Sequence, residues 1–281
     1  MKILVLGDFH GRLLEGIKGI IKKNKIDMII SVGDYCPFVY RKLWFKHCYG
    51  KEIELWQIIG KDKTRKLVER DLELGERVLK ELNNLEVPVF TVVGNLDYIG
   101  YNDVLDLKQK NHWKWYEQDF FDKMIKKYKN IKRFDYDFIK FSDLILIGAY
   151  GQTFPGKVRS RAFRKHKMIL GRLFNRFKKE NKEGKVIFVS HNVPFNTKLD
   201  KITSKDAPKK AKGEHYGSKL IRKIVDKYQP VLHIGGHIHE GKGTDKIGKT
   251  LCLNPGAVHE GEYSILEFDE AKGKIKVKFV G

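Results

Sequence analysis

Lys2-Ile3-Leu4-Val5-Leu6-Gly7-Asp8-Phe9-His10 is the stretch that decides the fold. Its apolar part is short, branched and continuous, which is the pattern of a strand covered on both faces. Gly7 lets the backbone turn away from the strand, so Asp8 is presented at the edge of a sheet with His10 two positions on. The same arrangement recurs outward along the chain. Met28 to Val32 runs into Gly33-Asp34, and Val89 to Val93 into Gly94-Asn95-Leu96-Asp97. Val186 to Val189 leads to Ser190-His191, and Val231 to Ile234 leads to Gly236-His237-Ile238-His239. Every one of these polar segments follows the carboxyl end of a predicted strand, where ligands gather in α/β sheets.

Between the strands, which also include Leu144 to Ile147, lie stretches of helical periodicity at Leu13 to Lys23, Arg65 to Leu82, Tyr116 to Tyr128, Arg161 to Lys179 and Ser218 to Tyr228. The end of the chain changes character. Thr250 to Leu253, Glu262 to Phe268 and Lys274 to Val280 read as consecutive strands with only turns such as Lys272-Gly273 between them, so a meander is expected to close the chain. Alternating strand and helix followed by a β-rich end predicts an α/β fold, a four-layer α/β/β/α sandwich of two mixed sheets flanked by helices. Residues 1–281 are expected to form a single domain, because the polar segments must converge in space. Three stretches look like elaborations on it, at about 35–63, 98–133 and 156–185. The first two are rich in aromatic residues and the third is strongly basic. Aromatic and basic residues interleaved suit a stacking surface for single-stranded nucleic acid, or else a cap or a surface for self-association as a homo-oligomer.

Asp, His and Asn at strand ends offer mixed oxygen and nitrogen ligands, which suit divalent metals that keep positions open for water and phosphate. Asp8, His10 and His239 would hold one ion, Asn95, His191 and His237 a second, and Asp34 would bridge them. A bridge of that kind keeps two ions roughly 3.5 to 4 Å apart, close enough to share a hydroxide nucleophile and clamp a phosphoryl group. The expected reaction is in-line hydrolysis of a phosphate ester, with Asp34, Asn95 and His191 as catalytic residues through the hydroxide.

Asp8-Phe9-His10, Gly33-Asp34, Gly94-Asn95-Leu96-Asp97, Ser190-His191 and Gly236-His237-Ile238-His239 together resemble the calcineurin-like metallophosphoesterase superfamily, over nearly the whole chain. The resemblance implies the same seven ligands and two divalent ions, with Mn2+ the first expectation and iron, zinc, nickel or cobalt the alternatives. Asn254-Pro255-Gly256-Ala257-Val258 followed by Tyr263-Ser264-Ile265-Leu266 is similar to the closing segment of its small prokaryotic phosphodiesterase branch, whose members tend to lack histidine in the GNxD segment.

Leu96 departs from the larger family, in which a histidine stands there and protonates the leaving oxygen. Leucine carries no proton, and losing a general acid costs roughly 10² to 10⁴ in rate for poor leaving groups. Phosphodiesters or easily expelled leaving groups are therefore the expected substrates, with water, His215 or His259 supplying the proton. Asp97 reads as a helix cap or as a residue that orients Asn95 or nearby backbone, and Arg12 as a phosphate contact or a solvated side chain. His233 reads as packed within its strand. Two other functions stay open. A metal-binding scaffold for protein interaction would be similar to the retromer subunit of this fold, and a nuclease acting on DNA or RNA would be similar to the double-strand-break repair enzyme.

A net charge of +21 favours polyanionic partners such as nucleic acid, although Lys- and Glu-rich composition is also a thermophile trait. Cys36, Cys48 and Cys252 form no metal-like spacing and suit a reducing compartment. No apolar stretch approaches the roughly 20 residues of a membrane span, and the amino terminus does not resemble a signal peptide, so no membrane partner and a cytoplasmic location are expected.

Overall fold

Side chains alternate along the first strand, so Ile3 and Val5 join one buried cluster while Leu4 and Leu6 join another on the opposite face. The computed structural model describes residues 1–51, 53–99, 113–150, 160–204, 209–269 and 274–281. In chain order its first elements are β1 (Lys2–Leu6), α1 (Ile17–Asn24), β2 (Met28–Ser31), α2 (Arg41–His47), α3 (Leu55–Ile59), α4 (Lys61–Asn83) and β3 (Val89–Thr91). Next come α5 (Phe120–Ile125), β4 (Ile131–Arg133), β5 (Phe138–Phe141), β6 (Leu144–Ala149), α6 (Arg161–Arg176), α7 (Lys178–Lys182) and β7 (Val186–Asn192). The last are α8 (Lys219–Tyr228), β8 (Leu232–Gly236), β9 (Gly243–Ile247), β10 (Thr250–Asn254), β11 (Tyr263–Asp269) and β12 (Lys274–Val280).

The strands make two six-stranded mixed sheets, ordered β12-β11-β1-β2-β3-β4 and β5-β6-β7-β8-β10-β9. β1 to β4 are parallel with β11 and β12 antiparallel beside them. β6, β7, β8 and β10 are parallel between antiparallel β5 and β9. Ile3, Val5, Ile30 and Val32 of the first sheet share a cluster with Leu146, Ile187, Val189 and Ile234 of the second, so the two sheets face each other. The other face of the first sheet packs on α1, α4 and α5 through Ile21, Val78, Leu82 and Phe121. The other face of the second packs on α6 and α8 through Leu170, Phe174, Ile221 and Val225. Four layers result, as the alternation of elements predicts.

Several boundaries differ from the sequence expectation. The first helix begins at Ile17, not Leu13, because Gly16 adopts a left-handed conformation (φ 68°) that stops the helical path. Arg12 is therefore on an exposed loop and not at a helix start. The helix expected over Tyr116 to Tyr128 shrinks to Phe120–Ile125, and the one over Arg161 to Lys179 breaks at Phe177 (φ −106°, ψ 33°). The tail is not one meander. β10 lies in the second sheet beside β8, and the chain then crosses to the first sheet to form the β11–β12 hairpin. Period-2 pattern identifies these strands but carries no information on which sheet each joins. The Lys272-Gly273 turn lies outside the described residues, as do 100–112 of the second elaboration and 156–159 of the third.

Within the first elaboration α2 and α3 form, and Tyr40, Cys48 and Leu55 are buried against Val68 of α4, with Tyr98, Trp115 and Tyr116 packed around them. Much of the aromatic content there is thus spent on internal packing. Phe45 and Tyr49 stay outside, 41% and 56% exposed. All three cysteines are free and buried. Among the described residues no helix is long and apolar enough to cross a membrane.

Candidate metal centre

The loops after β1 and β2 are joined by backbone hydrogen bonds. The amide of Asp8 donates to Gly33 O (2.9 Å), that of His10 to Asp34 O (3.0 Å) and that of Gly11 to Tyr35 O (2.8 Å). Beneath them Phe9 and Tyr35 stack at 4.7 Å, and the Tyr35 hydroxyl lies 2.7 Å from Ser31 Oγ and 2.8 Å from Thr91 Oγ1. Sharp turns put the polar side chains at the sheet edge, but mostly not in the way the glycines suggest. Asp8 (φ 53°), His10 (45°), Asp34 (60°) and His237 (69°) themselves adopt left-handed backbone. Such strain costs on the order of 1 kcal/mol or more at each non-glycine residue, and it collects where function over-determines the geometry. Gly94 serves instead by smallness, since a Cβ there would lie 2.0 Å from Asp34 Oδ1. Gly33 needs both properties, with φ 90° and a would-be Cβ 2.2 Å from Gly94 N.

The seven expected ligands converge in two groups. In the first, His10 Nε2 lies 3.2 Å from His239 Nε2, which lies 3.4 Å from Asp8 Oδ1. In the second, His191 Nε2 faces Asn95 Oδ1 at 2.8 Å, His237 Nδ1 at 3.2 Å and Asp34 Oδ2 at 3.4 Å. Asp34 belongs both to a cluster with Asp8 and His10 and to one with His191 and His237, each with its ligand atoms within 4.8 Å of one another. It therefore stands between the groups, where a bridge must be.

Two observations fit these residues to cations. Asp8 Oδ1 is buried with no hydrogen-bond partner. His191 Nε2 confronts three lone-pair atoms although an imidazole nitrogen carries at most one proton. Protonation follows the same logic. Burial works against charge on both carboxylates, yet His239 and His191 beside Asp8, and His191 beside Asp34, hold them below the usual carboxylate range. Burial also opposes charge on His191, but Asp34, Asp8 and the Val32 carbonyl together outweigh it and raise that imidazole to about 9. Burial lowers His10, and it lowers His237 to about 4, so both favour the neutral, ligating form.

Asp97 corrects the helix-cap expectation. It is fully buried, and its Oδ2 accepts the amides of Gly94 (2.7 Å) and Asp34 (2.9 Å) while its Oδ1 accepts that of Tyr35 (2.7 Å). One carboxylate thus ties the loop of Asn95 to that of Asp34, and burial together with Asp34 pushes its pKa up to about 7. Half-buried Leu96 contributes its backbone, since its amide donates to Asp34 Oδ1 at 2.9 Å. Asn254, quoted in the sequence only as part of a tail motif, donates from Nδ2 to Ile238 O at 2.8 Å and so braces the His237-Ile238-His239 loop. Tyr35 and Phe9 carried no signal in the sequence, because an apolar or aromatic residue beside a ligand is the ordinary case.

The two histidines considered as proton sources part company. His215 is in none of the ligand clusters found among the described residues, and its Nδ1 lies 2.7 Å from Asp200 Oδ1. His259 joins the first group, its ring centroid 4.5 Å from that of His10 and 4.9 Å from that of His239. His233 is packed in the sheet as expected, with Nε2 2.8 Å from Ser190 Oγ, and burial lowers its pKa to about 3. His166 is buried against Tyr136, and His112 lies outside the described residues.

Comparison with known proteins agrees with this architecture. The chain is 27% identical over 257 residues to the uncharacterized protein MJ1162 of Methanocaldococcus jannaschii, covering 91% of this chain and 88% of that protein. Among solved structures it is similar to a dimetal phosphatase from Danio rerio, at 9% identity and TM-score 0.53 over 95% of this chain and 92% of that one. It is also similar to the protein TT1561 of Thermus thermophilus, at 15% identity and TM-score 0.51 over 99% and 97%. At these identities the likeness is one of fold. The model of the calcineurin-like phosphoesterases matches residues 1–241, and with that match the chain belongs to the calcineurin-like phosphoesterase family.

Proposed function

We propose that this chain is a dinuclear-metal hydrolase of phosphodiesters, with Asp8, His10 and His239 holding one ion, Asn95, His191 and His237 the other, and Asp34 shared. The observation that carries it is the meeting of two oxygen–nitrogen groups at Asp34, each with its ligand atoms within 4.8 Å of one another. Two divalent ions bound there would acidify a water and polarise the phosphoryl oxygens; manganese is the first choice, with iron, zinc, nickel and cobalt as alternatives.

The rest of the chemistry belongs to the chain. Asp97 holds the Asp34 backbone amide (2.9 Å) and the Leu96 amide donates to the Asp34 carboxylate (2.9 Å), so the shared ligand is set before substrate arrives. His191 Nδ1 donates to Val32 O at 2.7 Å, so Nε2 is the nitrogen that would face a metal. No proton donor occupies the Leu96 side chain, so water is the proton source we assign to the leaving oxygen. That favours diesters with acidic leaving groups. The test is a panel of aryl and alkyl mono-, di- and cyclic phosphate esters with protein stripped and reloaded with Mn2+. Rates that rise steeply as the leaving group becomes more acidic, and only when metal is present, are expected. No hydrolysis of any ester by metal-loaded protein would refute the proposal and favour the scaffold.

A nucleic acid is the second reading of the substrate. Beyond the net charge of +21, a groove between α6 and α8 of about 390 Å³ is lined by Arg164, Lys167, Arg172 and Lys227 and by no carboxylate. Binding through such cations releases counterions, so affinity for an oligonucleotide should fall steeply with salt; a flat response excludes this reading.

A further inference from the structure

We infer that His259 is an additional ligand at the first metal position, beside Asp8, His10 and His239; the inference rests on the proposed metal centre. One ring nitrogen each of His10, His239 and His259 lies within 4.8 Å of the other two, a cluster independent of Asp34. His259 reaches it by the chain crossing between sheets. After β10 the short turn Val258–Glu260 docks on the first loop, where the Val258 amide donates to Gly7 O at 2.9 Å and the His259 amide to Asp8 O at 3.3 Å.

The tautomer follows from the partners. His259 Nδ1 lies 2.9 Å from Asp8 O, a carbonyl that can only accept, so Nδ1 carries the proton and Nε2 the lone pair. A metal-bound imidazole commonly has its other N–H on a carbonyl or carboxylate, and His191 shows the same pattern with Val32 O at 2.7 Å. One residue, Asp8, therefore offers its carboxylate to the first position and orients this imidazole with its carbonyl.

The competing role for His259 is proton donor in place of Leu96, and the ring contacts with His10 and His239 are what favour ligation. With His259 as a ligand the two positions become unequal. The first takes Asp8, His10, Asp34, His239 and His259, and the second Asp34, Asn95, His191 and His237.

Metal titration of the stripped full-length chain tests this. Wild-type protein should take up two equivalents of Mn2+, and His259→Ala should keep one affinity while the other weakens roughly 10- to 100-fold or more. In the Co2+-loaded wild-type protein, each ligating imidazole that keeps an N–H gives one exchangeable, paramagnetically shifted proton resonance. Five are expected with His259 bound and four without it, a count that does not depend on the variant folding. Unchanged affinities in His259→Ala, or four resonances in the wild type, would overturn the inference. If hydrolysis of esters with poor leaving groups then fell, His259 would be the proton donor. Wild-type protein that binds no metal at all would instead refute the dinuclear reading itself.

Discussion

Replacing Asp97 probes how the centre is held, because one buried carboxylate satisfies three backbone donors, at Gly94, Asp34 and Tyr35. In Asp97→Ala all three amides lose their acceptor within a buried site, at about 1–3 kcal/mol each. Part of that loss is offset, since the raised pKa of Asp97 signals that burial and the neighbouring Asp34 already work against its charge. A net destabilisation of about 2–5 kcal/mol is expected, large against the roughly 5–15 kcal/mol stability of an ordinary domain. Asp97→Asn separates the contributions. Its carbonyl oxygen can take the Oδ2 place and keep the Gly94 and Asp34 amides, while its NH2 group would face only the Tyr35 amide as a mismatched donor. About 1–3 kcal/mol is then at stake, with the charge penalty removed, so Asn should unfold far later in urea than Ala. The assay is urea unfolding of chelator-treated protein followed by Mn2+ titration of both variants. Metal affinity should fall in Ala more than in Asn, in step with the loosening of Asp34. Equal stability of Ala and wild type to within about 0.5 kcal/mol, or equal damage from Ala and Asn, would refute the clamp.

Three further outcomes follow from particular contacts. Gly94→Ala places a Cβ 2.0 Å from Asp34 Oδ1, so Mn2+ titration should show loss of both equivalents, and hydrolysis should drop by more than about 10²-fold. Leu96→His restores a proton donor next to Asn95, so alkyl diesters should be hydrolysed up to roughly 10² times faster while aryl diesters change little; equal gains for both would show that the histidine acts otherwise. His233 is lowered to about 3 by burial, so the unfolded chain takes up its proton near pH 6.5 while the folded one does not. Its contribution to stability is present above pH 6.5 and is lost at about 1.4 kcal/mol per pH unit as pH falls toward 3, a slope that His233→Gln should lack when unfolding is followed across pH 4 to 7.

Much of this centre is legible in the amino-acid order alone. Each ligand stands at the end of a continuously apolar run, and that local pattern is sufficient to mark strands with parallel partners and loops gathered at one edge. Period and composition also carry the four layers, since runs buried on both faces require helices outside. Weak strands such as Ile131–Arg133 and Gly243–Ile247 are invisible there, because their alternation is too short and too polar to separate from loop. The left-handed backbone of Asp8, His10, Asp34 and His237 is hidden too, for no residue type announces a conformation that only surrounding hydrogen bonds can enforce.

By itself, then, the sequence determined which residues could bind a metal and in what order the strands deliver them, because both are properties of short segments. Only the tertiary structure decided what holds those residues and what joins them. Asp97 is 63 positions from Asp34 yet pins its amide, and His259 is 251 positions from Asp8 yet hydrogen-bonds its carbonyl. The physical reason is that β10 and β11 lie in different sheets, so the chain must cross the gap between them beside the centre, and nothing local to Asn254-Pro255-Gly256 specifies where that crossing leads.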